Sequence, residues 1–243
     1  MERSELELPV VPHRLGPLRP ATLLARPNRY VAQVAFDNTT AWAHVPDPGR
    51  LPDLMWPGNT VYIAPNIGAH YKTSYTLFLA RAPEPPHILV SVDTQAPNRL
   101  AAALLAAGFL QDGSDPWTIR REVTYGHSRF DFQLARAQEQ LILEVKSVTL
   151  ALSGVAYFPD APTARGTKHL QTLSRLARRG MRTAVLFVVQ RSDAGEIRPN
   201  TSTDPAFAKA LASAQRAGVE LYGVRFRVEL EGFHLEQTVP VRP

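Results

Sequence analysis

Through the first 92 positions, short runs rich in β-branched and aromatic residues alternate with Pro- and Gly-containing breaks. Residues 21–26, 29–36, 40–45, 60–65, 74–82 and 87–92 read as strands. Tyr30-Val31-Ala32-Gln33-Val34-Ala35-Phe36 is the clearest of them, and Asp37-Asn38 after it supplies a hairpin turn. Pro46-Asp47-Pro48-Gly49 and Trp56-Pro57-Gly58-Asn59 are turn or loop signals. Five or six short strands in about 75 residues predict a small all-β barrel, and an OB-fold is a natural choice for that size.

Beyond residue 92 the period changes. Residues 99–107 are helical and stop at Gly108, and residues 164–179 form a second helix stopping at Gly180. Asp204-Pro205 opens a third helix with a capping acid and a first-turn proline, and Gly218 closes it. Strands are predicted at 128–134, 141–148, 183–190 and 219–230. The unbroken apolar run at 183–190 is typical of a strand buried on both faces. Strands interleaved with helices imply an α/β domain. The predicted organisation is a barrel over residues 1–92 and an α/β domain over 93–243.

Composition narrows the chemistry. There is no cysteine, which excludes disulfides, thiolate zinc sites and cysteine nucleophiles. A bound metal would rest on carboxylates, carbonyls, water or His, a set that suits Mg²⁺ or Mn²⁺. No apolar run approaches the ~20 residues that cross a bilayer. The acidic start Met1-Glu2-Arg3-Ser4-Glu5 has no apolar core of a signal peptide behind it, so a cytoplasmic location and no membrane partner are expected. The formal net charge is +5, and the excess concentrates in residues 115–191, where 12 Lys and Arg stand against 6 Asp and Glu. A phosphate backbone rewards such a face through counterion release, although a solvated Arg-rich surface would carry the same count.

The candidate chemistry lies in Arg129-Phe130-Asp131-Phe132-Gln133-Leu134 and Leu141-Ile142-Leu143-Glu144-Val145-Lys146-Ser147. Side chains two apart on a strand share a face, so Glu144 and Lys146 point one way and Leu143 and Val145 the other. Asp131 is expected to face them, with Phe130 and Phe132 turned away. Two converging carboxylates repel unless a cation neutralises them, and hard oxygen ligands suit Mg²⁺. Glu122 can add a ligand or act through water, and Gln190 can position water or substrate. A buried salt-bridge network joining Lys146 to Glu144 and Asp131 would produce the same pattern.

With their neighbours, these residues resemble the sugar fermentation stimulation protein A (SfsA) family. The resemblance is carried by the segment from Arg120 to Phe132, by Glu144-Val145-Lys146-Ser147-Val148-Thr149-Leu150, and by the segment from Phe158 to Leu170. Val189-Gln190-Arg191 and Ala217-Gly218-Val219-Glu220 extend it, with weaker matches at Ala43-His44-Val45-Pro46 and Ala96-Pro97-Asn98-Arg99-Leu100. It implies an N-terminal OB-fold, a C-terminal restriction-endonuclease-like (PD-(D/E)XK) mixed sheet flanked by helices, and DNA binding. Under that resemblance the metal-binding acids fall on Asp131 and Glu144, the lysine on Lys146, and a helix-borne acid on Glu122. One departure is Asp47-Pro48-Gly49, where the family usually runs Asn-Thr-Gly.

The expected function is therefore a DNA-binding protein with a Mg²⁺- or Mn²⁺-dependent phosphodiesterase site, acting on single- or double-stranded DNA, and a homodimer is one assembly to consider. The alternative is a non-cleaving DNA-binding regulator of sugar metabolism genes on a silent nuclease fold. Expected DNA contacts are Arg120, Arg121, Arg129, Arg165, Lys168, His169, Arg191, His44, Arg50 and Lys72. Arg165 to His169 open a helix, where backbone N–H groups also favour phosphate. Trp42, Trp56, Tyr62 and Tyr75 can stack bases, though core packing is the commoner fate of such residues.

Overall fold

A computed structural model of the chain describes residues 8–14, 16–67, 72–83, 87–111 and 115–243, so the acidic start at residues 1–5 lies outside it. After a two-residue β1 (Val11–Pro12) come β2 (Arg19–Asn28), β3 (Val31–Phe36), β4 (Thr39–His44), β5 (Thr60–Pro65) and β6 (Tyr75–Arg81). The five longer strands follow the order β4-β3-β2-β5-β6, and parallel pairing of Ala43 with Tyr75 and His44 with Thr76 closes them into the expected barrel. Its interior is apolar: Leu23, Val34, Val61, Ile63 and Leu77 are fully buried. Asp37 and Asn38 join β3 to β4 at φ +45° and +57°, the double positive φ that matches the twist of a two-residue hairpin.

The second half contains β7 (Leu89–Ser91), α1 (Ala96–Ala106), β8 (Thr118–Tyr125), β9 (Ser128–Arg136), β10 (Glu139–Val148), β11 (Leu150–Leu152), β12 (Val155–Phe158), α2 (Ala164–Ala177), β13 (Arg182–Val189), β14 (Glu196–Pro199), α3 (Pro205–Arg216), β15 (Glu220–Val228) and β16 (Gly232–Thr238). The main sheet runs β8-β9-β10-β13-β15, with β16 also on β15. β10 to β13 and β13 to β15 are parallel, each crossing over through one helix, and the outer pairings are antiparallel. α1 packs on one face with Leu100 and Leu104 against Phe132, Leu143, Leu186 and Phe226. α2 and α3 cover the other face, where Leu170, Leu173, Phe207 and Leu211 meet Ile142, Val185 and Phe187. β13 is covered on both faces, which explains its unbroken apolar run.

The starts of α2 and α3 are fixed by short polar side chains. Thr163 Oγ1 accepts from Gly166 N at 3.1 Å to open α2. Asp204 caps α3 through Phe207 N at 2.9 Å and accepts from Thr163 N at 2.8 Å, so one carboxylate holds both starts together. The chain pattern does not predict the two-residue β1, the polar strand β8, the closing strand β16, or the small sheet of β11, β12 and β14. β8 (TIRREVTY) is largely exposed and alternates poorly, so it carries no amphipathic signal.

The two halves are joined by more than a linker. β7 pairs with β6 on one side and, through Leu89 and Val228, with β15 on the other. Beside this runs a charged seam. Arg191, 3% exposed, donates to Asp53 of the barrel at 2.9 Å, to both oxygens of Asp193 at 2.7 Å, and to the Thr149 carbonyl at 2.7 Å. Asp160, between β12 and α2, packs on the barrel so closely that a Cβ added at Gly49 would run into its Oδ2. Burial, and then the Asp160 charge, push Asp47 up to about 6, against the Gly49 N–H bond and the Arg26 charge. Burial likewise pushes Asp160 up, with the Asp53 charge adding to it. Pro159-Asp160 thus belongs to the seam between the halves.

Candidate functional site

Asp131 on β9 and Glu144 and Lys146 on β10 come together where the two strands part. The β9–β10 ladder pairs Phe132 with Leu143 and goes no further toward Asp131. In the opened gap Asp131 Oδ2 accepts from Val145 N at 2.7 Å, replacing a strand partner with a side chain. Its Oδ1 accepts from the Asn98 amide, on the first turn of α1, at 2.8 Å. Burial and the nearby Glu144 charge raise the Asp131 pKa, against these two hydrogen bonds and the Lys146 charge.

Glu144 is 4% exposed. Burial alone would raise its pKa, but hydrogen bonds and charge from His169 and Lys146 prevail and hold it below the usual carboxylate range. Lys146 Nζ donates to Glu144 Oε1 at 2.5 Å, and His169 Nδ1 meets the same oxygen at 2.6 Å. Glu144 Oε2 is buried and has no hydrogen-bond partner among the described residues. An ionised oxygen left bare in the interior is costly, and a cation is the partner that relieves it.

The alternation expected around Asp131 is broken. Phe132 faces the α1 layer, as anticipated, whereas Phe130 packs in the α2 layer with its ring centroid 5.3 Å from that of His169. The neighbouring strand is irregular there too: β8 pairs Arg121 with Phe132 and Val123 with Phe130, and Glu122 between them sits at φ +55°. Both strands thus switch layers at the same level, β9 at Asp131 and β8 at Glu122.

Glu122 does not take the place expected for it. It lies on a strand rather than a helix, its side chain is 69% exposed, and its carboxylate faces Arg129 at 3.7 Å. Gln190 follows β13 and is fully buried; its Nε2 donates to Ser147 Oγ at 2.8 Å, and its Oε1 has no partner among the described residues. Among the described residues, no group of three or more His, Asp or Glu gathers in a geometry that would cage a metal. Two carboxylates with remaining positions left to water and phosphate oxygens nevertheless fit Mg²⁺, which seldom uses an all-protein cage.

The expected DNA contacts divide. Arg120, Arg121, Arg129, Arg165 and Lys168 are exposed on β8, β9 and α2, as are Arg50 and Lys72 on the barrel side, and His44 is half-buried in β4. Arg191 is enclosed in the seam and is a structural cation rather than a phosphate contact. His169 is buried on Glu144, so it is part of the acidic site instead of a surface contact. Of the aromatic candidates, Trp42 and Trp56 are 47% and 40% exposed. Tyr62 packs against the α1-side core, and Tyr75 lies edge-on to Phe36 on the barrel core. Asn98 was not singled out as a site residue; a lone Asn after an Ala-Pro helix start gives no signal of a carboxylate 33 positions away.

Comparison with known proteins agrees with this architecture. Residues 24–92 match the model described as the SfsA N-terminal OB domain, and residues 95–232 match the sugar fermentation stimulation protein RE domain. A sugar fermentation stimulation protein homolog of Desulforamulus reducens is 42% identical over 91% of this chain and 91% of its own length. One from Chloroflexus aurantiacus is 41% identical over 93% of this chain and 86% of its own. A solved structure, Pyrococcus furiosus SfsA in complex with Ca²⁺, superposes with a TM-score of 0.85 at 27% identity, covering 99% of this chain and all of that one. A barrel of the OB type, a mixed sheet layered between helices, and relatives along nearly the whole length together show that this chain belongs to the sugar fermentation stimulation protein family.

Proposed function

We propose that the protein is a divalent-metal-dependent phosphodiesterase acting on DNA, with Asp131 and Glu144 as metal ligands and Lys146 beside them. The observation that carries this reading is the bare, buried Oε2 of Glu144 next to a second carboxylate whose own ionisation is disfavoured. Mg²⁺ or Mn²⁺ at this point would polarise a scissile phosphate and lower the pKa of a bound water. Lys146 then supplies positive charge where charge develops on the phosphate. The solved relative described with Ca²⁺ supports a site for a hard, oxygen-seeking ion. Exposed Arg120, Arg121, Arg129, Arg165 and Lys168 would hold the backbone, and Trp42 on the barrel offers a stacking surface to an unpaired base.

One observation favours a second reading. Both oxygens of Asp131 are already hydrogen-bonded, and Lys146 and His169 both hold Glu144, so the cluster can persist as an ion-pair network without a metal. That is what a DNA-binding protein with a silent catalytic fold would contain. Cleavage of labelled single- and double-stranded DNA with Mg²⁺ or Mn²⁺ separates the two. Cutting by the wild type that Lys146→Ala removes supports the phosphodiesterase. Binding without cutting on every substrate, unchanged in Lys146→Ala, supports the silent fold.

A further inference from the structure

The acidic pair is held from both sides of the sheet. His169, on the inner face of α2, is 4% exposed and stands among Leu170, Leu173 and the Phe130 ring. A polar ring in such surroundings is costly unless it is bonded, and its Nδ1 contact with Glu144 supplies the bond. Since Glu144 is ionised and can only accept, Nδ1 carries the proton. On the opposite layer Asn98 bonds Asp131 Oδ1. The start of α1 that carries Asn98 is itself tied down: Asp93 accepts from Gln95 N at 3.0 Å and from Arg99 at 3.1 Å, and Arg99 also donates to the Pro12 carbonyl.

We propose that His169 and Asn98 are positioning residues, one from each helix layer, that fix the rotamers of Glu144 and Asp131 for the cation; this rests on the metal-site reading above. His169 and Lys146 converge on one oxygen of Glu144, which fixes the direction in which the other is presented. The Asn98 amide and Val145 N–H hold Asp131 in the gap between β9 and β10. Each carboxylate would otherwise rotate freely about its last torsion, and a hard cation with few protein ligands has none to spare.

The test is Mn²⁺ binding alone, read as loss of the free-ion EPR signal on titration into the full chain, with folding followed by circular dichroism. His169→Leu keeps an apolar body against Phe130 but no donor, and Asn98→Ala removes the amide at a half-exposed helix start. Each is expected to raise the Mn²⁺ Kd about 10- to 100-fold, the usual cost of losing a partner that orients a ligand. His169→Asn, whose amide nitrogen falls near the position of Nδ1, is expected to recover most of the affinity, which a purely packing role would not predict. Should His169→Leu fail to fold, Asn98→Ala decides. Wild-type affinity in the folded variants, with binding lost in Glu144→Ala, overturns the positioning role while leaving the metal site standing. Equal Mn²⁺ binding by wild type and Glu144→Ala overturns the site itself and this inference with it.

Discussion

Replacing Asp47 by Asn should stabilise the protein at neutral pH. In the fold, burial and then Asp160 move the Asp47 pKa from 3.8 to about 6. The folded state therefore favours the protonated acid. Stability falls as pH rises from the unfolded pKa near 4 through the folded value near 6, then levels off. A displacement of roughly two units at about 1.4 kcal/mol each means that ionised Asp47 costs about 3 kcal/mol at pH 7.5. Asn removes that cost and still offers Oδ1 to the Gly49 N–H, which Asp47 accepts at 2.7 Å. The groups around it stay in place: Asp160 opposite, and the Arg26 guanidinium bonded to the Asp47, Gly49, Arg50 and Arg29 carbonyls. Thermal unfolding of wild type and Asp47→Asn at pH 4.0 and 7.5 should show little difference at the lower pH and a gain of several degrees at the higher, at about 2–4 °C per kcal/mol for a chain of this size. An equal difference at both pH values, or none at 7.5, would refute the burial argument.

Further expectations concern the seam and the site. Arg191→Ala leaves Asp53, Asp193 and the Thr149 carbonyl without their shared cation, and chemical denaturation should show a loss of about 3–5 kcal/mol; a change under 1 kcal/mol would show that the seam is dispensable. Glu144→Ala should lose divalent binding yet keep most of its DNA affinity, because the proposed phosphate contacts are Arg and Lys; isothermal titration with Mn²⁺ and fluorescence anisotropy with DNA measure the two separately. DNA affinity should fall steeply with salt, and Arg165→Gln with Lys168→Gln should flatten the log–log slope by about one per contact removed. A slope unchanged by both substitutions would take α2 out of the interface.

What could be read from the chain follows from where periodicity holds. The barrel strands, the double positive-φ turn at Asp37-Asn38, and β10 with its Glu144-x-Lys146 face all obey the period of two, and the structure keeps them. The same rule places Asp131 toward Glu144 and Lys146, although the alternation fails locally: Phe130 and Phe132 lie on opposite layers, and Glu122 on the neighbouring strand has a positive φ. A conformational exception at one residue leaves no trace in a hydrophobic pattern. Arg191 and His169 were assigned to the surface because charge and helix position favour solvent. Their fates depend on tertiary partners, Asp53 far back in the barrel and Glu144 across the sheet, and sequence spacing does not encode such partners. The family resemblance implies a helix for Glu122, and β8, too polar and exposed to announce itself as a strand, offers no pattern against it.

β7 pairs with β6 on one side and meets β15 at Leu89 on the other, so the second sheet is completed by a residue from the barrel half of the chain. The barrel strands emerge first and can close early on local contacts. The second sheet must wait: β13 is followed by α3 before β15 arrives to cover its edge, and β15 is then itself paired by β16, with one contact reaching back 139 positions from Val228 to Leu89 of β7. Until then Thr183-Ala184-Val185-Leu186-Phe187-Val188-Val189 presents an uncharged, proline-free strand with an open edge, the kind of segment that pairs with another chain. Such distant pairings are slow to form. A chain cut before Glu220 should accordingly accumulate as aggregate even with its barrel fully formed, and the vulnerable moment in making this protein comes late, after most of the candidate active site is already out of the ribosome.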